Sequence, residues 1–372
     1  MSATENSISL PTELLPGDGR FGSGPSKVRT EALQSFFEAA PSYLGTSHRQ
    51  DNVKDHVARL RSGLSALFNL PEGWEVILGN GGTTSFWDAA SFSLIESSSQ
   101  HLSFGEFSSK FVTVVEQAPH LQEPEVIVSD PGSCPSPVKS QVDTYALTHN
   151  ETSTGVTASL SRPDPDGLVI ADATSAAGAI QWDSSEVDCY YFAPQKALAS
   201  DGGLWLAACS PAAIARIEVL CSGSRWIPAS LDLGIALSNS RKDQTYNTPS
   251  LATIFLAAEM VDWINESGGL TWAEDRCGQS SGIIYRWAEE RSFARPFVAN
   301  SRERSPVVCT IDFEGVDADA ISAVLRTNGI VDTESYRKLG RNQLRIATFP
   351  AVEPADVEAL CACIDYVVEE LG

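Results

Sequence analysis

Lys196 and Asp172 are two residues of this chain whose types and setting could do chemistry together. Lys196 closes the run Asp188-Cys-Tyr-Tyr-Phe-Ala-Pro-Gln-Lys196, and Asp172 closes Gly167-Leu-Val-Ile-Ala-Asp172; each run is apolar and reads as a buried strand. Open α/β sheets gather ligands outside the carboxyl ends of their strands, so both groups are expected in one crevice. An amine and a carboxylate placed this way suit pyridoxal 5′-phosphate (PLP), which takes a lysine as covalent anchor and an acid beside its ring nitrogen. Singly, neither is specific: a lysine at a strand end is more often a solvated charge, and an aspartate there is often a cap.

A third feature adds a place for a phosphate. Leu78-Gly-Asn-Gly-Gly-Thr-Thr-Ser85 lies between a strand-like and a helix-like stretch. Glycines let backbone N–H groups approach an anion, and a helix N-terminus adds its positive end. Gly82, Thr83 and Thr84 are therefore candidate phosphate ligands. The loop is neither a Walker loop nor GxGxxG, and a plain strand-to-helix turn is an equal reading of it alone.

The elements that must position these residues follow from periodicity. Val53 to Asn69 repeats apolar residues at three and four, a helix; Glu75 to Gly79 reads as a strand, and Ser85 to Ile95 as a helix. Glu125 to Ser129, Tyr145 to Thr148 and Leu168 to Ala171 read as further buried strands, giving an α/β domain with a mostly parallel central sheet. Near Gly268-Gly269 the pattern changes. Trp272 to Arg291, Ala318 to Asn328 and Pro354 to Leu371 read as helices, and Val307 to Phe313 and Gln343 to Ala347 as strands, which predicts a smaller α+β C-terminal domain. The expected division is an N-terminal arm over 1–21 packing on the small domain, a large domain over 22–266 and a small one over 267–372.

Composition narrows the partners. The 372 residues carry a formal charge of −22, which repels nucleic acid and anionic lipid and predicts neither as a partner. Small anionic substrates then need a local reversal of sign. The run 336–345 supplies it, with four cations (Arg337, Lys338, Arg341, Arg345) and no acid. The eight cysteines show no CxxC spacing, and several sit in apolar runs as small core residues. Met1-Ser-Ala-Thr-Glu-Asn-Ser7 lacks the basic-then-apolar pattern of a leader, so a reducing cytoplasm is expected. The histidines have no metal-ligand spacing, and no metal is predicted. The tryptophans read as core or interface residues, with Trp226 a candidate for a subunit contact.

The ordered set Gly81-Gly-Thr-Thr84, His149-Asn-Glu-Thr-Ser-Thr-Gly155, Ala171-Asp-Ala-Thr-Ser-Ala-Ala-Gly178 and Ala193-Pro-Gln-Lys196 resembles the class V aminotransferases of PLP fold type I. Ser47-His-Arg49 and Tyr246-Asn-Thr-Pro-Ser250 place the resemblance in the branch that handles phosphorylated amino acids. It covers nearly the whole chain from Phe21 onward. It implies ping-pong amino transfer between O-phospho-L-serine/3-phosphohydroxypyruvate and glutamate/2-oxoglutarate in serine biosynthesis, with 4-phosphohydroxythreonine as a second substrate. It implies Lys196 as cofactor anchor and proton carrier and Asp172 as partner of the ring nitrogen. Phe107 would cover the ring, where the family often has tryptophan, and Thr152 would lie near the phenolic oxygen. Gln195 would join Gly82 and Thr83 at the phosphate, with Asn247 and Thr248 arriving from the other subunit of a homodimer. Arg345 would grip the α-carboxylate, and His48 and Arg49 the distal anion. The family's Gly-His-Arg tripeptide is missing, leaving Arg337, Lys338 and Arg341 as stand-ins.

Two rivals remain. A cysteine desulfurase or related lyase would need a mobile cysteine, and none occupies an obvious catalytic loop. A dinucleotide-dependent oxidoreductase would need GxGxxG and a ribose-binding acid.

Overall fold

The computed structural model describes residues 8–371, so the expectations resting on Met1–Ser7 lie outside it. In chain order the strands are β1 (Glu75–Asn80), β2 (Ser99–Ser103), β3 (Glu125–Val128), β4 (Thr144–Thr148), β5 (Asn150–Glu151), β6 (Val156–Thr157), β7 (Leu168–Asp172), β8 (Cys189–Phe192), β9 (Leu204–Cys209), β10 (Ala294–Pro296), β11 (Val308–Phe313) and β12 (Gln343–Ala347). A seven-stranded sheet runs β1-β9-β8-β7-β4-β2-β3. The pairings β8-β7, β7-β4, β4-β2 and β2-β3 are parallel, and β9 alone runs against both its neighbours. β10, β11 and β12 form a separate antiparallel sheet, and β5 and β6 a short ribbon.

Alternation along the strands separates two cores. Val169, Ala171, Tyr190, Phe192, Leu204 and Leu206 face one cluster, which includes Leu60 and Leu64 of the helix Asp51–Leu67 and Ile254 and Val261 of the helix Leu251–Ser267. Leu168, Ile170, Cys189, Tyr191, Trp205 and Ala207 face the other, under the helices Thr83–Ser93, Glu106–Glu116, Pro211–Ser222 and Leu233–Ser240. Covered on both faces, β7, β8 and β9 are buried at every position, as strands between two helix layers must be. The expected burial of Glu125 to Ser129 fails. β3 is an edge strand whose Val128 is 70% exposed.

A third cluster joins Ile284, Trp287, Ile311, Ile321, Leu344 and Leu360 to Leu10 and Phe21 of the chain's start. Phe21 N–H donates to Val331 O, and its carbonyl accepts from Ala347 N–H, so residues 8–22 lie against β12 and its approach. The long helix Gly269–Glu289 serves two cores: Ala273 and Cys277 belong with the large sheet, Ile284 and Trp287 with the small one. Its start is set by Gly268 and Gly269, whose φ angles of 128° and 73° reverse the chain after the helix Leu251–Ser267.

Candidate active site

β1, β7 and β8 all point their carboxyl ends at one edge of the sheet, because the two antiparallel pairings through β9 restore β1 to the direction of β8. A cavity of about 350 Å³ opens there. Gly82, Thr83, Thr84, Phe107, Thr152, Asp172, Gln195 and Lys196 line it, so eight of the sequence-predicted residues come together. Lys196 is buried, and its Nζ donates to Ser23 O at 2.8 Å. Burial, helped by the Arg345 guanidinium, brings its amine down to about 8, against the opposing pull of Asp172 and Glu151. Gly24 makes this approach possible: its φ is +135°, and a Cβ there would stand 2.6 Å from Lys196 Nζ.

Asp172 leaves β7 on the same face as Leu168 and Ile170, toward the helix Thr83–Ser93. Its Oδ2 accepts the indole N–H of Trp87 at 3.1 Å, and its Oδ1 accepts Thr174 N–H at 2.9 Å. Burial still pushes its carboxyl above the ordinary range, more than those bonds pull it down. Thr83 Oγ1 lies 2.6 Å from Thr174 Oγ1, tying the helix start to the turn after β7. That helix has no side-chain cap, so its first N–H groups are available at the cavity. Its glycines divide the work. A Cβ on Gly79 would strike Trp205 at 2.2 Å and one on Gly81 would strike Ser85 at 2.5 Å, whereas Gly82 faces open space.

Several buried polar atoms at or beside the cavity have no protein partner: Ser23 Oγ, Asn150 Oδ1, Gln195 Oε1 and Arg345 Nε. Buried polar groups are normally paired, so orphans gathered at one cavity mark the place of a polar ligand. Asn150 Nδ2 and Thr152 Oγ1 both donate to Ser175 Oγ, at 2.8 and 2.9 Å, which fixes that wall of the cavity. The Phe107 ring lies 5.6 Å from Lys196 Nζ and 6.0 Å from the Tyr336 ring. Arg345 stands 5.2 Å from the Tyr336 ring, with Nη1 3.4 Å from Thr152 O. This set fits PLP group by group: an amine with lowered proton affinity, a buried acid, an aromatic wall, and an uncapped helix start for a phosphate.

Four expected residues gather elsewhere. His48 Nδ1 lies 3.3 Å from Thr248 Oγ1, Arg49 donates to Gln244 at 3.1 Å, and Asn247 and Thr248 are exposed; none lines the cavity. Of the three stand-ins, Arg341 is committed to the buried Asp312, with Nε at 3.0 Å and Nη2 at 2.5 Å. This corrects its expected availability, since without Arg341 the buried Asp312 would keep only the Gln343 amide at 3.0 Å and Arg295 at 4.0 Å. Lys338 pairs with Glu106 at the rim, and Arg337 is exposed with no ion-pair partner among the described residues.

Reasoning from sequence missed Ser23, Gly24, Asn150 and Trp87. The sequence offers Trp87 only as a core or interface residue, yet it lies one turn from Thr83 on the same helix face, and that spacing is a usable signal. None of the eight free cysteines lines the cavity, and burial holds Cys134, Cys309 and Cys361 up at about 12. Among the described residues no cluster of His, Cys, Asp and Glu could hold a metal, and no helix is long and apolar enough to cross a membrane.

Comparison with known proteins agrees with this geometry. The family model described as aminotransferase class-V matches residues 23–333. A putative phosphoserine aminotransferase of Mycolicibacterium paratuberculosis is 56% identical over 368 residues, 98% of each chain. The phosphoserine aminotransferase of Nocardioides sp. is 55% identical, covering 98% of this chain and 100% of the relative. In fold, the phosphoserine aminotransferase of Cytophaga hutchinsonii superposes with a TM-score of 0.87 at 22% identity, covering 94% of this chain and 99% of that one. The PLP-bound phosphoserine aminotransferase of Trichomonas vaginalis gives 0.80 at 18%, with the same coverage. With the model matching most of the chain and relatives this close over nearly its full length, the protein belongs to the class-V aminotransferases.

Proposed function

We propose that this chain transfers the amino group between O-phospho-L-serine/3-phosphohydroxypyruvate and glutamate/2-oxoglutarate in a ping-pong cycle of serine biosynthesis, with PLP as cofactor. The observation that carries the reading is a buried lysine amine of lowered proton affinity sharing a cavity with a buried aspartate. The names of the closely similar relatives support the substrate. When bound, the cofactor supplies an electron sink that allows the Cα–H bond of an amino acid to break. Lys196 would anchor it covalently and, when released, would carry the proton at the substrate Cα, burial having lowered its proton affinity. Asp172 would pair with the ring nitrogen's positive charge, which would offset the cost of burial that raises its own carboxyl.

The uncapped N–H groups at Thr83–Ser93, the Thr83 and Thr84 hydroxyls and Gln195 receive the cofactor phosphate. Phe107 covers the ring, and Thr152 lies at the phenolic side. Arg345, from the 267–372 unit, grips the α-carboxylate common to glutamate and phosphoserine. Residues 22–266 form the cofactor-holding unit. The reading includes a cytoplasmic homodimer with shared active sites, in which His48, Arg49, Asn247 and Thr248 serve the neighbour's cavity. Trp226, 78% exposed, and Tyr246, 51% exposed, lie on the face that pairs. Arg337, without an ion-pair partner among the described residues, would meet the distal phosphate.

The test is a half-reaction. Purified protein with PLP is mixed separately with phosphoserine, glutamate, 4-phosphohydroxythreonine and cysteine, and the cofactor spectrum is followed. Conversion by phosphoserine and glutamate is expected, together with a borohydride-fixed label mapping to Lys196. Sulfide and alanine from cysteine, or a label elsewhere, overturns the assignment.

A further inference from the structure

Glu151 is a carboxylate beside the cavity for which the chemistry above has no task. It is fully buried on the short strand β5. Its Oε2 accepts the N–H groups of Phe107 at 3.1 Å and Ser108 at 2.9 Å, and the Ser108 hydroxyl at 3.0 Å. Its Oε1 accepts Ser153 N–H at 3.1 Å and the Ser153 hydroxyl at 2.7 Å. A buried carboxylate persists only when its oxygens are bonded this fully.

The helix Glu106–Glu116 begins after Gly105, which has no side chain to offer its first N–H groups. Glu151 fills that role from a distant part of the chain and puts its charge at the positive end of the helix dipole. Gly105 admits it, since a Cβ there would lie 2.3 Å from Glu151 Cγ and 2.4 Å from Cδ. Of the two helix N–H groups Glu151 holds, the first belongs to Phe107, whose ring stands 5.6 Å from Lys196 Nζ.

We infer that Glu151 is a positioning residue: through the backbone of Phe107 it fixes that ring as the rigid wall of the cofactor cavity, and Gly105 is glycine to let it do so. The inference rests on the cofactor reading above. A cap that merely stabilised the helix would change unfolding without changing how the cofactor sits.

A double-mutant cycle separates the two. PLP affinity and the visible circular dichroism of the bound cofactor are measured for wild type, Glu151→Gln, Phe107→Ala and the double variant. Phe107→Ala is expected to weaken binding about tenfold. Glu151→Gln should weaken it several-fold and reduce the dichroic band, and the double variant should match Phe107→Ala within about twofold. Wild-type affinity and dichroism in Glu151→Gln, or two losses that multiply, overturns the inference. Should Glu151→Gln not fold, Ser153→Ala and Gly105→Ala take its place, the second displacing the carboxylate with its charge kept. Their losses must vanish in the Phe107→Ala background, and a persisting loss overturns the inference. A wild type that binds no cofactor sinks the functional reading and this inference together.

Discussion

The cavity and the basic loop at its rim, two halves of the candidate site, are built in opposite ways. Around Asp172 and Lys196 the side chains are buried, spring from the ends of fully buried strands and are held by backbone or indole hydrogen bonds. Around residues 336–341 the cations are exposed, and two of three already face carboxylates. The contrast follows from what each half must meet. One cofactor, always the same, rewards a rigid cradle set before binding. On the proposed reading the distal side takes a carboxylate from glutamate and a phosphate from phosphoserine, and Lys338 would have to leave Glu106 to meet either. Lys338 is 67% exposed, and ion pairs of that kind contribute only about 0–1 kcal/mol, so handing the cation over costs little. In a chain of charge −22, such pairs also store cations without leaving them unscreened.

Breaking the rigid half should cost most. Lys196→Ala is expected to lower turnover by at least about a thousandfold while the protein still captures PLP through ring and phosphate contacts. Turnover within tenfold of wild type would remove Lys196 from the chemistry. At the boundary of the halves, Arg345→Ala should lower kcat/KM about 10- to 100-fold for glutamate and phosphoserine alike, because both present one α-carboxylate. If one donor alone suffers, Arg345 belongs to the distal side and the boundary lies elsewhere.

Next come effects that sort positioning from binding. Arg341→Ala should lower stability by about 1–3 kcal/mol in urea unfolding, because it strips a partner from buried Asp312, while KM for phosphoserine stays the same. A raised KM at unchanged stability would restore Arg341 to the substrate side. Trp87→Phe keeps the apolar volume and removes one hydrogen bond to Asp172, about 1 kcal/mol, or roughly fivefold in PLP affinity.

The rigid half was the more legible in sequence, for a physical reason. Strand-end residues follow continuous apolar runs, and the Gly-Gly-Thr-Thr turn is a local signal, so Lys196, Asp172 and Thr83 could be placed without tertiary knowledge. Trp87 could not, because its bond to Asp172 spans 85 positions, although the Thr83–Trp87 spacing hinted at a shared face. The strand Ser99–Ser103 hid behind polar letters: Ser99, Gln100 and His101 are buried there and paired with one another or with Glu125 and Val138. The helix Leu251–Ser267 hid for the opposite reason, being apolar on nearly every side and so without a stripe. In the exposed half, charge alone could not say which arginine was already paired, since Asp312 is distant in sequence and meets Arg341 only through the β11–β12 register.

The smallest effect joins the two halves through a field. Burial first, and Arg345 second, bring the Lys196 amine from its ordinary 10.5 to about 8. The folded, cofactor-free protein therefore releases this proton earlier than the unfolded chain. Between about 8 and 10.5 the unfolded state binds more protons, so this group adds stability as pH rises through that window and withholds it below. Labelling of Lys196 by an amine-selective reagent should titrate with a midpoint near 8 in the cofactor-free protein. Arg345→Ala removes a positive neighbour and moves the midpoint up, whereas Glu151→Gln removes a negative one and moves it down. Opposite shifts from residues of opposite charge would show that Lys196 feels both; a midpoint indifferent to Arg345 would leave Arg345 electrostatically separate from the amine.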